Sequence, residues 1–155
     1  SEIDEVLKIF GEERFHRRIA HAIIAARNIA PITTTRQLAE IVSKANPAWE
    51  KIKHPATRSF QAIRIFINNE LEEITCGLDQ ALEILAVGGR LAVISFHSLE
   101  DRIVKNYFRD LEEQRLGKVI TDKPIETSEG EANENPRSRS AKLRVLEKLD
   151  VGDNL

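Results

Sequence analysis

Cysteine is almost absent from this 155-residue chain, which contains only Cys76. One thiol cannot form an internal disulfide or a cysteine-based metal cluster, so zinc ribbons, zinc fingers and thioredoxin chemistry are excluded. The sequence also has no glycine-rich phosphate loop, no paired-histidine zinc motif and no calcium-binding loop. We therefore expect no metal site, and the sparing use of cysteine fits a reducing cytoplasm.

Long apolar runs and methionine are missing as well. No stretch approaches the roughly 18 to 20 apolar residues that span a bilayer, and the first ten residues are acidic and amphipathic, unlike a signal peptide. These features predict a soluble, cytoplasmic protein with no membrane partner. Because methionine is absent even at position 1, we expect the chain to be a segment of a longer protein.

Charge is unevenly distributed along the chain. From Arg14 to Arg64 there are ten basic and two acidic residues, a net charge of +8, whereas residues 1–13 and 65–155 carry net charges of −4 and −6. A basic block inside an acidic chain is typical of a protein that binds a polyanion. A solvated helical surface is the commoner explanation of clustered charge, and it stays open here.

The first part of the basic block has two helical patterns. Apolar residues recur at helical spacing over 15–26, while another face of the same segment is basic. Thr34 and Gln37 then have the spacing of a capping box, in which the hydroxyl and the amide satisfy each other's backbone N–H groups. The sequence therefore predicts a second helix that starts after Thr34 and ends at Asn46-Pro47.

A third helical pattern follows a linker over 48–55. Apolar residues recur at steps of three or four from 60 to 85, which predicts a helix, or two nearly continuous ones, of about 30 residues that stops before Gly88-Gly89. Its buried stripe is expected to contain Phe60, Ile63 and Ile67, with Arg58, Gln61 and Arg64 on the opposite face.

The remaining part of the chain combines strands with helices. The segment Arg90–Phe96 is apolar on both faces, as is typical of a strand buried in a parallel sheet. Ser98 is expected to cap the next helix, with Asp101 at the capping-box position. A short strand is predicted over Val119–Pro124. In the last strand, Ala141, Leu143 and Val145 are expected to form the apolar face and Lys142 and Arg144 the polar one.

These patterns predict an α/β fold with a helical, basic subdomain over residues 1–70 and an α/β part over 71–155. The second part has too few strands for a sheet covered on both sides, since a strand with two apolar faces needs neighbours on either side. We expect either that the chain dimerises through its sheet edges or that further strands belong to another segment.

The junction after Phe96 is the first candidate site. In open α/β sheets, ligands bind beyond the carboxyl ends of the strands, and His97 and Ser98 occupy that place at a helix N-terminus. A serine-hydrolase site is excluded because the nucleophile elbow is missing and adjacent side chains point apart. For Ser98 and Asp101 a purely capping role is the simpler interpretation, whereas His97 is equally compatible with either role.

Basic residues form the second group of candidates. Lys53 and His54 precede a helix whose polar face is basic, and Arg137 and Arg139 lie in a predicted loop before the last strand. Such surfaces suit phosphates, and each contact that neutralises a phosphate makes binding more sensitive to salt. The candidate contacts to the phosphates of a polyanion such as RNA are Arg14, Arg18, Lys53, His54, Arg58, Arg64, Arg137 and Arg139.

Five segments together resemble the bacterial 16S ribosomal RNA cytosine-N4 methyltransferases. They are residues 11–15 (GEERF), 31–35 (PITTT), 53–65, 88–105 (GGRLAVISFHSLEDRIVK) and 135–144 (NPRSRSAKLR). They occur in the order typical of the family and cover most of the chain, and the fourth is too long to be a coincidence. The departures are modest: Val87 replaces a proline usual before the two glycines, and residues 126–134 belong to a freely varying stretch.

The resemblance implies transfer of a methyl group from S-adenosylmethionine to the exocyclic amine of a cytidine in the small ribosomal subunit. Family members have a doubly wound methyltransferase core interrupted by a helical insertion that helps to recognise RNA. Residues 1–70 would match the insertion, and 71–155 would match the last strands and helices of the core, leaving its sheet incomplete. The implied partners are 16S ribosomal RNA and the missing first half of the enzyme, which would hold most of the cofactor.

In the intact enzyme, Ser95, His97 and Ser98 are expected to border the target pocket and to accept a hydrogen bond from the cytosine amine. The chain alone is predicted to be inactive, because methyl transfer requires sulfur, methyl and nitrogen to be held in register. Two alternatives stay open. One is a non-catalytic RNA-binding module, and the other is a homodimeric interaction protein whose incomplete sheets pair across a two-fold axis.

Overall fold

The computed structural model describes residues 1–51 and 53–154 and forms two compact units, Ser1–Glu70 and Leu71–Leu155. The helices of the first unit are α1 (Glu2–Gly11), α2 (His16–Ile29), α3 (Thr35–Ala45) and α4 (Thr57–Asn68). The helix α5 (Glu70–Ile84) begins at the boundary. No helix in the described part of the chain has the length and apolar character of a membrane span.

The first unit is a packed helical cluster. Helix α1 packs on α4 and on α2, and α2 packs on α3. The predicted helix over 15–26 is confirmed by α2, which buries Ile19 and Ile23. The capping box of α3 is also confirmed: Thr34 Oγ1 accepts from Gln37 N at 3.2 Å, and Gln37 Oε1 accepts from Thr34 N at 3.1 Å.

Replacing Thr34 by alanine is expected to lower the free energy of unfolding of the first unit by about 1 kcal/mol, because one backbone N–H at the start of α3 loses its acceptor. Urea unfolding followed by the emission of Trp49, the only tryptophan of the chain, measures this. Thr35→Ala is the matched control, since Thr35 is already inside the helix. Equal effects of the two substitutions would contradict the capping role.

The apolar pattern from 60 to 85 forms two nearly continuous helices, α4 and α5, which confirms the second of the two predicted forms. Asn69 adopts a left-handed conformation, with φ 51° and ψ 37°, and its N–H bonds back to the last turn of α4. Asparagine tolerates this conformation better than most residues, so α4 ends there and α5 starts afresh. The apolar spacing continues across the break, which is why periodicity alone suggested near-continuity.

The buried stripe of α4 also differs from the prediction. Ser59, Ala62 and Ile65 are buried, whereas Phe60 and Ile63 are only partly buried and Ile67 is exposed. The reason is the close approach of α1: a Cβ atom at Gly11 would lie 2.7 Å from Arg58 O. The small side chains of Ser59 and Ala62 let the two backbones approach, and Ile65 is the large apolar residue of the same buried face.

The second unit is an antiparallel sheet with helices. Its central strand β4 pairs with β1 on one edge and with β2 and β3 on the other. Residues of α5 and α6 pack with strand residues around Phe108 and Leu146, which are almost fully buried. The elements that follow α5 are β1 (Arg90–Ser95), α6 (Ser98–Glu113), β2 (Gly117–Val119), β3 (Ile125–Glu126), α7 (Glu129–Glu134) and β4 (Lys142–Lys148).

An α/β class with a small sheet is therefore confirmed, but several details of the second unit differ from the predictions. The strand β1 lies in an antiparallel pair, and Ile94 on one of its faces is 58% exposed. Of the strand predicted over Val119–Pro124, only Val119 lies in a strand, as the last residue of β2, and β3 begins after Pro124. The freely varying stretch 126–134 contains the helix α7.

The last strand has its faces reversed. Arg144 and Leu146 are the buried residues of β4, whereas Leu143 and Val145 are half-buried on the other side. The alternation predicted for this strand is present, but the inward face is the one that carries the arginine.

Candidate functional site

The junction between β1 and α6 places polar groups beyond the carboxyl end of a strand. Ser95 is the last residue of β1 and is only 3% exposed, whereas Ser98 is exposed at the first position of α6. The residue that caps the helix is His97, whose Nδ1 accepts from Glu100 N at 3.4 Å. The predicted cap at Ser98 is wrong by one position, because the imidazole of His97 already supplies the acceptor.

Glu100 is a member of this site that the sequence reasoning missed. Its Oε2 accepts from Phe96 N at 2.8 Å, and its Oε1 lies 3.3 Å from His97 Nε2. The pKa of Glu100 is lowered, first by the His97 side chain and then by the Phe96 N–H, against the opposing effect of desolvation. The carboxylate is therefore held in its ionised form. Its position three residues after His97 is the capping-box signal that would have revealed it.

The cap also determines which nitrogen of His97 carries the proton. Because Nδ1 accepts from a backbone N–H, a neutral ring has its proton on Nε2, an assignment that follows from the hydrogen-bond network. Nε2 is buried without a partner in hydrogen-bond geometry, although Glu100 is close. His97 therefore presents a donor, and acceptors beside it come from Ser98 and Glu100.

Asp101 does not complete a cap. It accepts from Arg144 Nε at 2.7 Å and from Arg144 Nη2 at 3.0 Å, and both residues are 8% exposed. The Arg144 guanidinium lowers the pKa of Asp101, while burial acts in the opposite direction. This ion pair ties the first turn of α6 to the middle of β4 and so holds the strand-end site in place.

Four of the predicted RNA contacts come together in the first unit. Arg14, Lys53, His54 and Arg58 line one cavity of about 310 Å³, together with Trp49. The residues come from the segment between α1 and α2, from the linker before α4 and from α4 itself. The structure thus gathers basic side chains that are up to 44 positions apart in the sequence.

The other predicted RNA contacts lie outside this cavity. Arg18 is exposed on α2, and Arg137 and Arg139 are exposed on a 3-10 turn, Pro136–Ser140, where a loop was expected. Arg64 pairs with both oxygens of Glu70, at 2.7 and 3.1 Å. Its charge is therefore already balanced within the first unit.

Two side chains on the polar face of α4 form hydrogen bonds within the first unit. Arg58 donates to Glu12 O at 3.1 Å and to Glu50 Oε1 at 2.8 Å, and Gln61 donates to Phe10 O at 3.4 Å. The first and the last of these three bonds satisfy carbonyl groups at the end of α1. Arg58 therefore lines the cavity, but its guanidinium is already bonded to other groups of the protein.

In the described residues, neither a metal ion nor a nucleotide cofactor has a complete binding site. They contain no cluster of three His, Cys, Asp or Glu side chains suited to hold a metal ion. Gly88, the one glycine with positive φ in the described ranges, lies at the amino end of β1. Cofactor loops of doubly wound folds lie at the carboxyl ends of strands, so this turn does not fit that role.

The second unit is thus an α/β unit whose polar side chains at the start of α6 lie beyond the carboxyl end of β1, the place where open α/β sheets bind ligands. The chain belongs to the MraW methylase family, whose model matches residues 1–149. This match confirms the family-level resemblance carried by the five sequence segments.

Several curated relatives are named ribosomal RNA small subunit methyltransferase H. The chain is 57% identical to the one from Nitrosococcus oceani, over 95% of the chain and 51% of the relative. It is 52% identical to those from Legionella pneumophila strains Paris and Corby, over 96% of the chain and 53% of each relative. The chain therefore spans about half the length of the curated relatives it matches.

Proposed function

We propose that this chain is the RNA-recognising and target-positioning part of an S-adenosylmethionine-dependent methyltransferase that modifies the N4 amine of a cytidine in 16S ribosomal RNA. The names of the relatives support a methyltransferase of small-subunit ribosomal RNA. The observation that carries the placement of the site is the cluster of His97, Ser98 and Glu100 beyond β1. The basic first unit supplies the RNA-binding surface in this scheme.

The chemistry requires help for a weak nucleophile. The lone pair of the cytosine amine is delocalised into the ring, so an acceptor that takes a hydrogen bond from one amine proton makes the nitrogen more available. The exposed Ser98 hydroxyl suits this role. His97 Nε2–H is buried beside Glu100 in this structure, and we propose that it donates to an acceptor of the base, such as N3 or O2, when the target binds. Ser95, the buried last residue of β1, acts as a positioning residue in this scheme.

The cofactor supplies the electrophilic methyl group, and we propose that residues outside this chain hold most of it. The turn at Gly88 does not fit a cofactor loop, and the relatives are about twice as long as the chain. We therefore expect the isolated chain to transfer no methyl group. Holding the target amine in register with the donor is a positioning effect that requires both parts.

The test uses the full-length protein that carries this chain, small ribosomal subunits and labelled cofactor, with nucleoside analysis for N4-methylcytidine. His97→Asn is the informative variant, because asparagine is a favoured cap and keeps α6 intact. We expect it to slow methylation at least tenfold, equivalent to roughly 1.4 kcal/mol of barrier, with an unchanged melting temperature. Ser98→Ala is expected to act in the same direction.

Thr75→Ala is the control for Ser98→Ala, since it removes an exposed hydroxyl from α5, a helix of the second unit that is not part of the proposed site. Full activity of both His97→Asn and His97→Ala would reduce His97 to a cap and remove its role at the target. RNA binding by the full-length protein with no methylated product would instead favour the non-catalytic RNA-binding module.

A further inference from the structure

The cavity beside Trp49 has the composition of a nucleotide site. We call it the Trp49 groove and define it by Glu13, Arg14, Trp49, Lys53 and His54, which line it together with neighbouring residues. Its volume of about 310 Å³ falls at the lower end of the range for small-ligand pockets, roughly 300 to 1,000 Å³. Aromatic, cationic and acidic side chains line it. A nucleotide offers each of them a different partner: the base ring, the phosphates and the amine of the base.

Trp49 is held in place and yet left uncovered. It is 67% exposed, although its indole Nε1 donates to Ser43 O at 3.2 Å. Asn46 fixes the start of the linker by accepting from Ala48 N at 3.0 Å and donating to Pro55 O at 3.4 Å. An exposed, oriented aromatic ring in a basic segment is the feature that proteins use to stack a nucleic-acid base.

Glu13 supplies an acceptor that the fold leaves unused. The residue is 4% exposed, and its Oε1 accepts from Phe15 N at 3.1 Å, but its Oε2 has no hydrogen-bond partner. An unpaired buried carboxylate oxygen is costly, and a donor from a ligand would relieve this cost. The exocyclic amine of a base is such a donor. Uracil fits less well, because carbonyl oxygens flank its single N–H on both sides.

Cations lie beside these two groups. Arg14 and Lys53 are exposed in the wall of the groove, with the Arg14 guanidinium 5.4 Å from the centre of the Phe15 ring. They are placed to contact the phosphates on either side of a bound base. Arg58 is not counted here, because Glu50 and Glu12 O already occupy its guanidinium.

We propose that the Trp49 groove binds a single nucleotide of single-stranded RNA, with an amine-bearing base stacked on Trp49 and hydrogen-bonded to Glu13. The proposal rests on the proposed function, since it takes RNA as the partner. It adds a recognition point in the helical unit for a nucleotide of the substrate, at a site distinct from the polar cluster beyond β1.

Because Trp49 is the only tryptophan, its emission reports directly on the groove. The 155-residue chain is titrated with hexamers of oligo-C and oligo-U at low and at physiological salt. We expect oligo-C to quench Trp49 and to bind at least fivefold more tightly than oligo-U. Glu13→Gln is expected to abolish this preference, because the amide no longer offers only acceptors.

Anisotropy of end-labelled oligo-C measures binding when the tryptophan is removed. Trp49→Ala is expected to weaken binding at least fivefold, the low end of the effect of losing one stacked base. Arg36→Gln is the control, since it removes an exposed cation that pairs with Glu40 on α3, and it is expected to change binding less than twofold.

The outcomes separate this site from the methyltransferase itself. No RNA binding, or salt-dependent binding that neither quenches Trp49 nor weakens in Trp49→Ala, overturns the groove and leaves the assay for N4-methylcytidine unaffected. Equal affinity for oligo-C and oligo-U overturns the role of Glu13. Quenching by oligo-C in a full-length protein that makes no N4-methylcytidine supports the groove and rejects the proposed reaction.

Discussion

Replacing Asp101 by asparagine is expected to lower the free energy of unfolding of the second unit by about 3 to 5 kcal/mol. The substitution preserves the size of the side chain but leaves the Arg144 guanidinium buried without a counter-charge. Both residues are 8% exposed, and two short hydrogen bonds join them. Urea unfolding measures this loss of stability, and hydrogen exchange at the amides of α6 and β4 measures it in the two elements that the ion pair joins.

Two further variants make this result specific. Glu113→Gln breaks the Arg109–Glu113 contact of 3.7 Å on the same helix, where both side chains are well exposed, and it is expected to cost less than about 1 kcal/mol. Asp101→Leu combined with Arg144→Met removes both charges and is expected to recover most of the stability. A cost for Asp101→Asn no larger than that of Glu113→Gln would show that the pair contributes little.

The pH dependence of unfolding provides a second measurement of the Asp101–Arg144 ion pair. The pKa of Asp101 in the folded state is lowered below the ordinary value of 3.8 by Arg144. Its contribution is therefore fully present above the unfolded pKa and is lost as the pH falls through the lower folded value. Glu100, whose pKa is also lowered, acts in the same direction. We expect the stability of the second unit to fall below about pH 4, with a shallower dependence in Asp101→Asn.

The sequence was most informative where the signal is local. The apolar spacing of α2 and the capping box at Thr34 and Gln37 depend on residues within four positions of one another, and both are present in the structure. The family resemblance carried by the five segments was correct for the same reason, because each segment is a short, contiguous motif. Helix caps and motifs of this kind do not depend on how distant parts of the chain pack.

The errors arose where a distant partner decides the outcome. The alternation of β4 was evident, but its inner face depends on Asp101, which lies 43 residues earlier and accepts the buried Arg144. The stripe of α4 shifted because α1 packs closely against it. None of these partners is visible in a periodicity.

The candidate RNA surface shows the same division. The charge count predicted an RNA-binding region in the +8 block, but it did not show that Arg58 pairs with Glu50 and Arg64 with Glu70. Glu13 was counted with the acidic first segment, although it lies in the wall of the basic cavity. Composition locates the basic segment, and the ion pairs within the fold decide which of its charges are already balanced.

Replacing Gly11 by alanine is expected to lower the free energy of unfolding of the first unit by about 1 to 3 kcal/mol, the usual cost of overpacking. The new methyl group would lie 2.7 Å from Arg58 O and 3.1 Å from Ala62 Cβ. The first of these is backbone, so α1 and α4 must separate to admit it. Alanine is the better helix former by about 1 kcal/mol, and the contact is expected to outweigh that advantage.

Gly77→Ala makes the same substitution of glycine by alanine at a position where the new methyl group has no close neighbour. Gly77 lies inside α5, and a Cβ atom there would meet nothing within 4 Å, so this variant is expected to stabilise α5 by about 0.5 to 1 kcal/mol. Urea unfolding followed by Trp49 emission measures Gly11→Ala, and hydrogen exchange in α5 measures Gly77→Ala. If Gly11→Ala were as stable as the unsubstituted chain, the close approach of α1 to α4 would be wrong. Opposite signs for the two glycines would show that the close approach of α1 to α4 leaves no room for a side chain at position 11.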